Sequence, residues 1–151
     1  MAQQLFELLK RDHRQVEKWL SQIENGPEGE REELFSTVQD ALEKHMQMEE
    51  NHFYPQIKKI KEMKELAADA LAEHEQTKNL LSQLEDLDVE DEEWLTTFQE
   101  MKEGIQHHVQ DEEKKIFPRC TELMPQQQLK EIGQKCVEEK ERSQPSRGGS
   151  R

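Results

Sequence analysis

The chain writes one helical hairpin twice. HMQMEENHFYP, starting at His45, returns 63 residues later as HVQDEEKKIFP from His108. DHRQVEKWLSQIE, which contains His13, returns as EHEQTKNLLSQLE, where His74 stands 61 residues after His13. Self-similarity of this kind marks two copies of one supersecondary unit that bury their apolar faces against each other. A side chain kept in both copies therefore answers to a shared constraint. The unit is helical, because apolar residues recur three and four apart on four stripes: Leu5, Leu9, Val16, Leu20 and Ile23; Leu34, Val38, Leu42 and Phe53; Leu66, Ala70, Leu71, Leu81 and Leu84; Leu95, Phe98, Ile105 and Ile116. No stretch sustains the period-two alternation of a strand. Turn signals separate the stripes at NGPEG (25–29), Pro55, DLDVEDEE (86–93) and Pro118, so each aromatic-proline pair reads as a helix stop.

The expected fold is all-α, an up-down-up-down four-helix bundle over residues 1–120 built as two related hairpins. A short fifth helix is expected over 121–141, starting near Pro125 and packing on or extending from the bundle. The tail at 142–151, with SQPSRGGSR, has too little apolar content to fold and is expected to be disordered. A chain of 151 residues has room for one core. With 32% of it apolar and 36% charged, that core can only be a narrow stripe along each helix. The net charge of −13 repels nucleic-acid phosphates and anionic membrane surfaces. No apolar run approaches the roughly 18 residues needed to span a bilayer. Without an apolar signal segment at the N-terminus, the expected location is cytoplasmic. Cys120 and Cys136, outside any CxxC spacing, fit there as reduced thiols.

His13, His45, His74 and His108 fall on the apolar stripes, one per helix. Burying four imidazoles without strong partners costs several kcal/mol, against a typical net stability of about 5–15 kcal/mol. A metal ion compensates. Residues four apart share a helix face, so His45 and Glu49 converge on one point, and His108 and Glu112 do the same from the related helix. The HxxxE pattern alone is weak, since six histidines among 27 glutamates produce about one by accident, and His13 with Glu17 is a third. The repeat selects among them. Glu17 corresponds to Lys78, whereas Glu49 corresponds to Glu112. His52 corresponds to Lys115 and His107 to Lys44, which reads both as surface or outer groups, although His52, three residues past Glu49, could still face the site.

Four histidines and two glutamates remain: His13, His45, Glu49, His74, His108 and Glu112. Three ligands from each half point to two metals, each held by two histidines, with Glu49 and Glu112 bridging to relieve the repulsion between the cations. Imidazole with carboxylate suits iron, and also manganese or zinc. Calcium wants more oxygens, and structural zinc wants thiolates. Glu50 and Glu113, repeated beside the ligand glutamates, read equally as acceptors from ligand imidazoles or as exposed surface groups. Tyr54 and Phe117 read most simply as plugs at the end of the bundle, with the alternative that the Tyr54 hydroxyl reaches the site and serves there as a proton donor.

In the order histidine, HxxxE, histidine, HxxxE, with EE and an aromatic-proline after each second helix, residues 3–120 resemble the hemerythrin-like proteins, the HHE cation-binding domain family. The resemblance implies a four-helix bundle around an oxo- or carboxylate-bridged pair of irons and carries ligand roles onto the same six residues. The chain departs from the oxygen-carrying members, which have five histidines with an HxxxH in the third helix. Lys78 stands where that second histidine would be, and the last carboxylate follows its histidine by four residues rather than five.

Two functional expectations follow. One is a binding or sensing protein for O2, NO or peroxide, or for handling iron, in oxidative or nitrosative stress. The other is a di-iron oxidoreductase that decomposes peroxide. The expected partners are a small diatomic ligand or peroxide and a protein redox partner, with the chain a monomer or homodimer. A third reading, a metal-free interaction bundle, makes all four histidines accidental.

Overall fold

The computed structural model describes residues 2–143, and every regular element among them is helical. Residues 144–151, which hold most of the expected tail, lie outside the described residues. Helix α1 is Ala2–Asn25. Helix α2, Arg31–Met48, continues through a widened turn, Glu49–Phe53, and a last helical turn, Tyr54–Ile57. Helix α3 is Lys64–Glu85. Helix α4, Glu92–Asp111, continues in the same way through Glu112–Ile116 and Phe117–Leu123, and α5 is Gln126–Ser143. No described helix is long and apolar enough to cross a membrane.

The links follow from local chemistry. At the end of α1 the Gly26 N–H reaches the Gln22 carbonyl at 2.9 Å, and a Cβ at Gly26 would lie 2.6 Å from that oxygen, so only glycine turns the chain there. Before α4 the Asp88 carboxylate accepts the Glu90 N–H at 3.0 Å, closing an Asx turn. Glu92 and Glu93 then fill the first helical turn, where negative charge favours the unpaired N–H groups.

Pro55 and Pro118 do not stop their helices, contrary to the sequence expectation. A proline inside an α-helix lacks the N–H and crowds the carbonyl four residues back. Here each follows a turn in which the hydrogen bond spans five residues, Tyr54 N–H to Glu49 C=O and Phe117 N–H to Glu112 C=O. Each proline then stands in the first turn of the stretch that follows, where its missing donor costs nothing.

The apolar stripes assemble two cores, one on either side of a polar layer. The first gathers Leu5, Leu9, Phe53, Tyr54, Ile57 and Phe117 with α5 residues Leu129, Ile132 and Cys136. The second gathers Val16, Leu20, Val38, Leu42, Trp94 and Phe98 with their neighbours. Along α1 the crossover lies between Leu9 and Val16, and His13 stands there. Along α4 it lies between Val109 and Ile116, and Glu112 stands there. Helix α5 packs along α1 and also touches α2. The two helices approach closely at Gly133, where an added Cβ would meet the Leu5 backbone N at 3.1 Å and its Cβ at 3.2 Å. Gly133→Val should therefore cost about 1–3 kcal/mol through overpacking, read as a lowered thermal midpoint. An unchanged midpoint would show that α5 rests loosely on α1.

Candidate metal centre

Each of the four helices α1–α4 sends one imidazole into the polar layer. His13, His45, His74 and His108 are 3%, 7%, 2% and 9% exposed, and the Glu49 and Glu112 side chains are fully buried. The Nε2 atoms face the carboxylates. His13 lies 3.1 Å from Glu112 Oε1, His45 3.4 Å from Glu49 Oε2, His74 3.0 Å from Glu49 Oε1 and His108 3.6 Å from Glu112 Oε2.

The Nδ1 atoms point outward, each to a different carboxylate. His13 donates to Glu113 and His74 to Glu50, both at 2.7 Å, while His45 donates to Asp12 at 2.8 Å and His108 to Glu73 at 2.6 Å. An ionised carboxylate only accepts, so Nδ1 carries the hydrogen and the Nε2 lone pair is turned inward. The arrangement obeys the internal repeat, Glu113 matching Glu50 and Asp12 matching Glu73. The ring pairs match as well. His13 and His45 have centroids 5.1 Å apart at 68°, and His74 and His108 4.9 Å apart at 62°.

Four of the inward atoms, His13 Nε2, His45 Nε2, Glu49 Oε2 and Glu112 Oε1, are buried without a hydrogen-bond partner. Such orphans are costly. They belong to a group of donor atoms that all lie within 4.8 Å of one another. Donors around one ion with bonds of about 2.0–2.2 Å have that spread, so the residues fit a nitrogen- and oxygen-bound cation. Glu49, His74 and His108 form a second such group, with Glu49 common to both.

Tyr54 enters this second group. Its hydroxyl is 3.0 Å from Glu49 Oε1, 3.3 Å from the Nε2 atoms of both His74 and His108, and in close contact with Glu112 Oε2. Burial, then the Glu112 and Glu49 charges, raise its pKa well above the phenol range, so the proton stays on the oxygen. Of the two sequence readings of Tyr54, the plug and the hydroxyl that reaches the site, the structure gives the second. Phe117, in the related position, has no hydroxyl to offer.

The groups set aside by the repeat lie elsewhere. His52 faces Glu139 of α5 at 2.5 Å, His107 is exposed beside Asp111 at 3.3 Å, and Glu17 pairs with Arg14 on the surface. Lys78 places its ammonium 3.1 Å from Glu50, so it supports the carboxylate that holds His74. Glu50 and Glu113 do accept from imidazoles. Asp12 and Glu73 do so too, and sequence reasoning missed them, although the acid before each first-helix histidine is visible in both halves of the repeat.

Two cavities adjoin the centre. An inner one of about 30 Å³ is lined by all four histidines. An outer groove of about 250 Å³ runs between α1, α2 and α5, past Trp19, Ala41 and Lys140, and shares Asp12, Val16 and His45 with the inner one.

The family model described as the hemerythrin HHE cation binding domain matches residues 4–120. No curated protein matches the chain.

In the metal-free chain, His45 and His108 are the groups poised to hold protons where a cation would sit. Burial opposes charge on His45, but the Glu49 carboxylate and the Asp12 hydrogen bond outweigh it and push its pKa up to about 10. Burial opposes charge on His108 too, and Glu112 raises it well above the imidazole range. Against burial, His108 in turn holds Glu112 well below the carboxylate range. A raised histidine pKa contributes stability that is full below the ordinary value of 6.5 and is lost as pH rises through about 10. The thermal midpoint of the metal-free protein should therefore fall between pH 7 and pH 10. A metal ion that displaces the same protons should remove the decline. A metal-free midpoint that stays level over this range would mean that His45 and His108 are neutral.

Proposed function

The chain belongs to the hemerythrin HHE cation-binding domain family, and from that premise we propose that it is a non-haem di-iron protein that binds O2, NO or peroxide. The single observation that carries this reading is the set of four buried donor atoms, two imidazole and two carboxylate, left without hydrogen-bond partners. In this reading α1–α4 form an up-down-up-down bundle. His13 and His45 would hold one iron, His74 and His108 the other, and Glu49 and Glu112 would bridge them. Bound iron would supply open coordination positions and one-electron redox chemistry. Everything else is done by the chain. Asp12, Glu50, Glu73 and Glu113 fix the imidazole tautomers, the two apolar cores exclude water, and the inner cavity has room for a ligand of two or three heavy atoms. The proposed setting is cytoplasmic stress response or sensing, with a protein redox partner.

Tyr54 favours a second reading, a di-iron oxidoreductase that decomposes peroxide. Consuming peroxide needs a proton donor in a dry site, and the Tyr54 hydroxyl is held protonated against Glu49 and Glu112.

Metal analysis with near-ultraviolet and visible absorption on untreated protein tests the first reading. The wild type should carry two irons per chain. Glu49→Ala, which removes a bridge, should lose most of both, whereas Glu17→Ala should retain them. Equal iron in the two variants would contradict the assignment. For the second reading, Tyr54→Phe should keep its iron and still slow peroxide turnover by about 10²-fold, within the usual range for loss of a positioned acid. Unchanged turnover in Tyr54→Phe would leave the protein a binder.

A further inference from the structure

The inner cavity is lined almost wholly by pairs that the internal repeat relates: His13 with His74, His45 with His108, Leu42 with Ile105, Met46 with Val109, and Val16 with Thr77. Four of these pairs match in chemistry and the fifth does not. Valine and threonine have the same shape, so the second half of the chain places one hydroxyl where the first half has a methyl group. Thr77 is 7% exposed, and its hydroxyl has no hydrogen-bond partner among the described residues. Within a helix a threonine can instead return its proton to the carbonyl four residues back. Thr37 and Thr121 do so here, at 3.1 and 3.2 Å. The cavity's other polar lining is already engaged. The histidine Nδ1 atoms are committed to carboxylates and their Nε2 atoms are turned to the metal centre, while Asp12 is held by His45 and Lys140. Thr77 is not among the residues whose buried polar atoms lack a partner, so its hydroxyl is reached by solvent-sized space, and as part of the cavity lining it is free to donate to whatever occupies that cavity.

We propose that Thr77 is the residue that recognises the small ligand, by donating a hydrogen bond to an acceptor atom of a molecule held in this cavity. The inference rests on the di-iron reading and sharpens it, because it names the ligand class. The cavity selects small anions or peroxides with a lone pair at the end remote from the metal, of which azide is the simplest probe. Molecules without a good acceptor there gain nothing from Thr77. Its position three residues after His74 puts the donor one helical turn from a metal-holding imidazole and leaves the His13 side, with Val16, apolar.

Thr77→Val restores the symmetry of the lining without changing its shape and should fold normally. Azide titration of the iron-loaded protein, followed by charge-transfer absorption, should give a dissociation constant about three- to tenfold higher in Thr77→Val, as expected for one lost hydrogen bond. The azide stretching frequency of the wild type should shift in D2O, and that shift should vanish in Thr77→Val and persist in Thr77→Ser. Equal affinity and an equal D2O shift in wild type and Thr77→Val would overturn the inference alone. A wild type that holds iron but forms no azide adduct, or that holds no iron, would overturn the functional reading and the inference with it.

Discussion

Two carboxylates with no access to solvent, Glu49 and Glu112, set the terms for the rest of the molecule. Buried charge is tolerated only when paired, and the fold answers in layers. Around the two inner carboxylates stand four imidazoles. Around those stand four more carboxylates, and three of these carry a cation: Arg14 on Glu113, Lys78 on Glu50 and Lys140 on Asp12. The fourth, Glu73, faces His107 at 3.6 Å. With His45 and His108 protonated, charge alternates in sign from the centre outward, and a bound cation at the middle would take over from those protons. Without it, protons on His45 and His108 are the substitute, which is why their pKa values rise despite burial.

The repeat made the inner layer legible. Four histidines and two glutamates stood out because both halves keep them at the same positions, and the structure brings all six to one level. The outer layer was legible only in part. Asp12 does not hold the imidazole beside it in sequence. Neighbouring residues diverge by about 100° around a helix, so Asp12 reaches His45 on α2, and Glu73 likewise reaches His108 on α4. Periodicity within one helix says nothing about which helix lies next to it.

For a single reason the two prolines were misread and the site-facing role of Tyr54 stood only as the lesser of its two readings. In an α-helix the fifth residue on lies about 140° around from the first, which turns Tyr54 away from Glu49. In the widened turn the five-residue hydrogen bond puts Tyr54 directly one turn beyond Glu49, and its hydroxyl reaches the carboxylates. Turns of this kind gather at functional sites. Tertiary packing decides them, and no local propensity announces them. The same widening lets the helix run past Pro55 and Pro118, so the residues that looked like stops extend α2 and α4 into the core that α5 covers.

Helix α5 lies beyond the matched residues 4–120, yet it completes the centre's surroundings. Lys140 supports Asp12, Glu139 takes His52 away from the site, and Leu129, Ile132 and Cys136 seal the core beneath Tyr54. That seal also bears on the chemistry. Burial, reinforced by Glu112 for Cys120 and by Glu49 for Cys136, pushes both thiols up to about 12. Thiolate rather than thiol is the species that peroxide oxidises. In the proposed reading, where peroxide or NO enters the middle of the bundle, the two cysteines close by are thus kept in their unreactive form. The carboxylates that demand a cation at the centre also keep the neighbouring sulfur protonated.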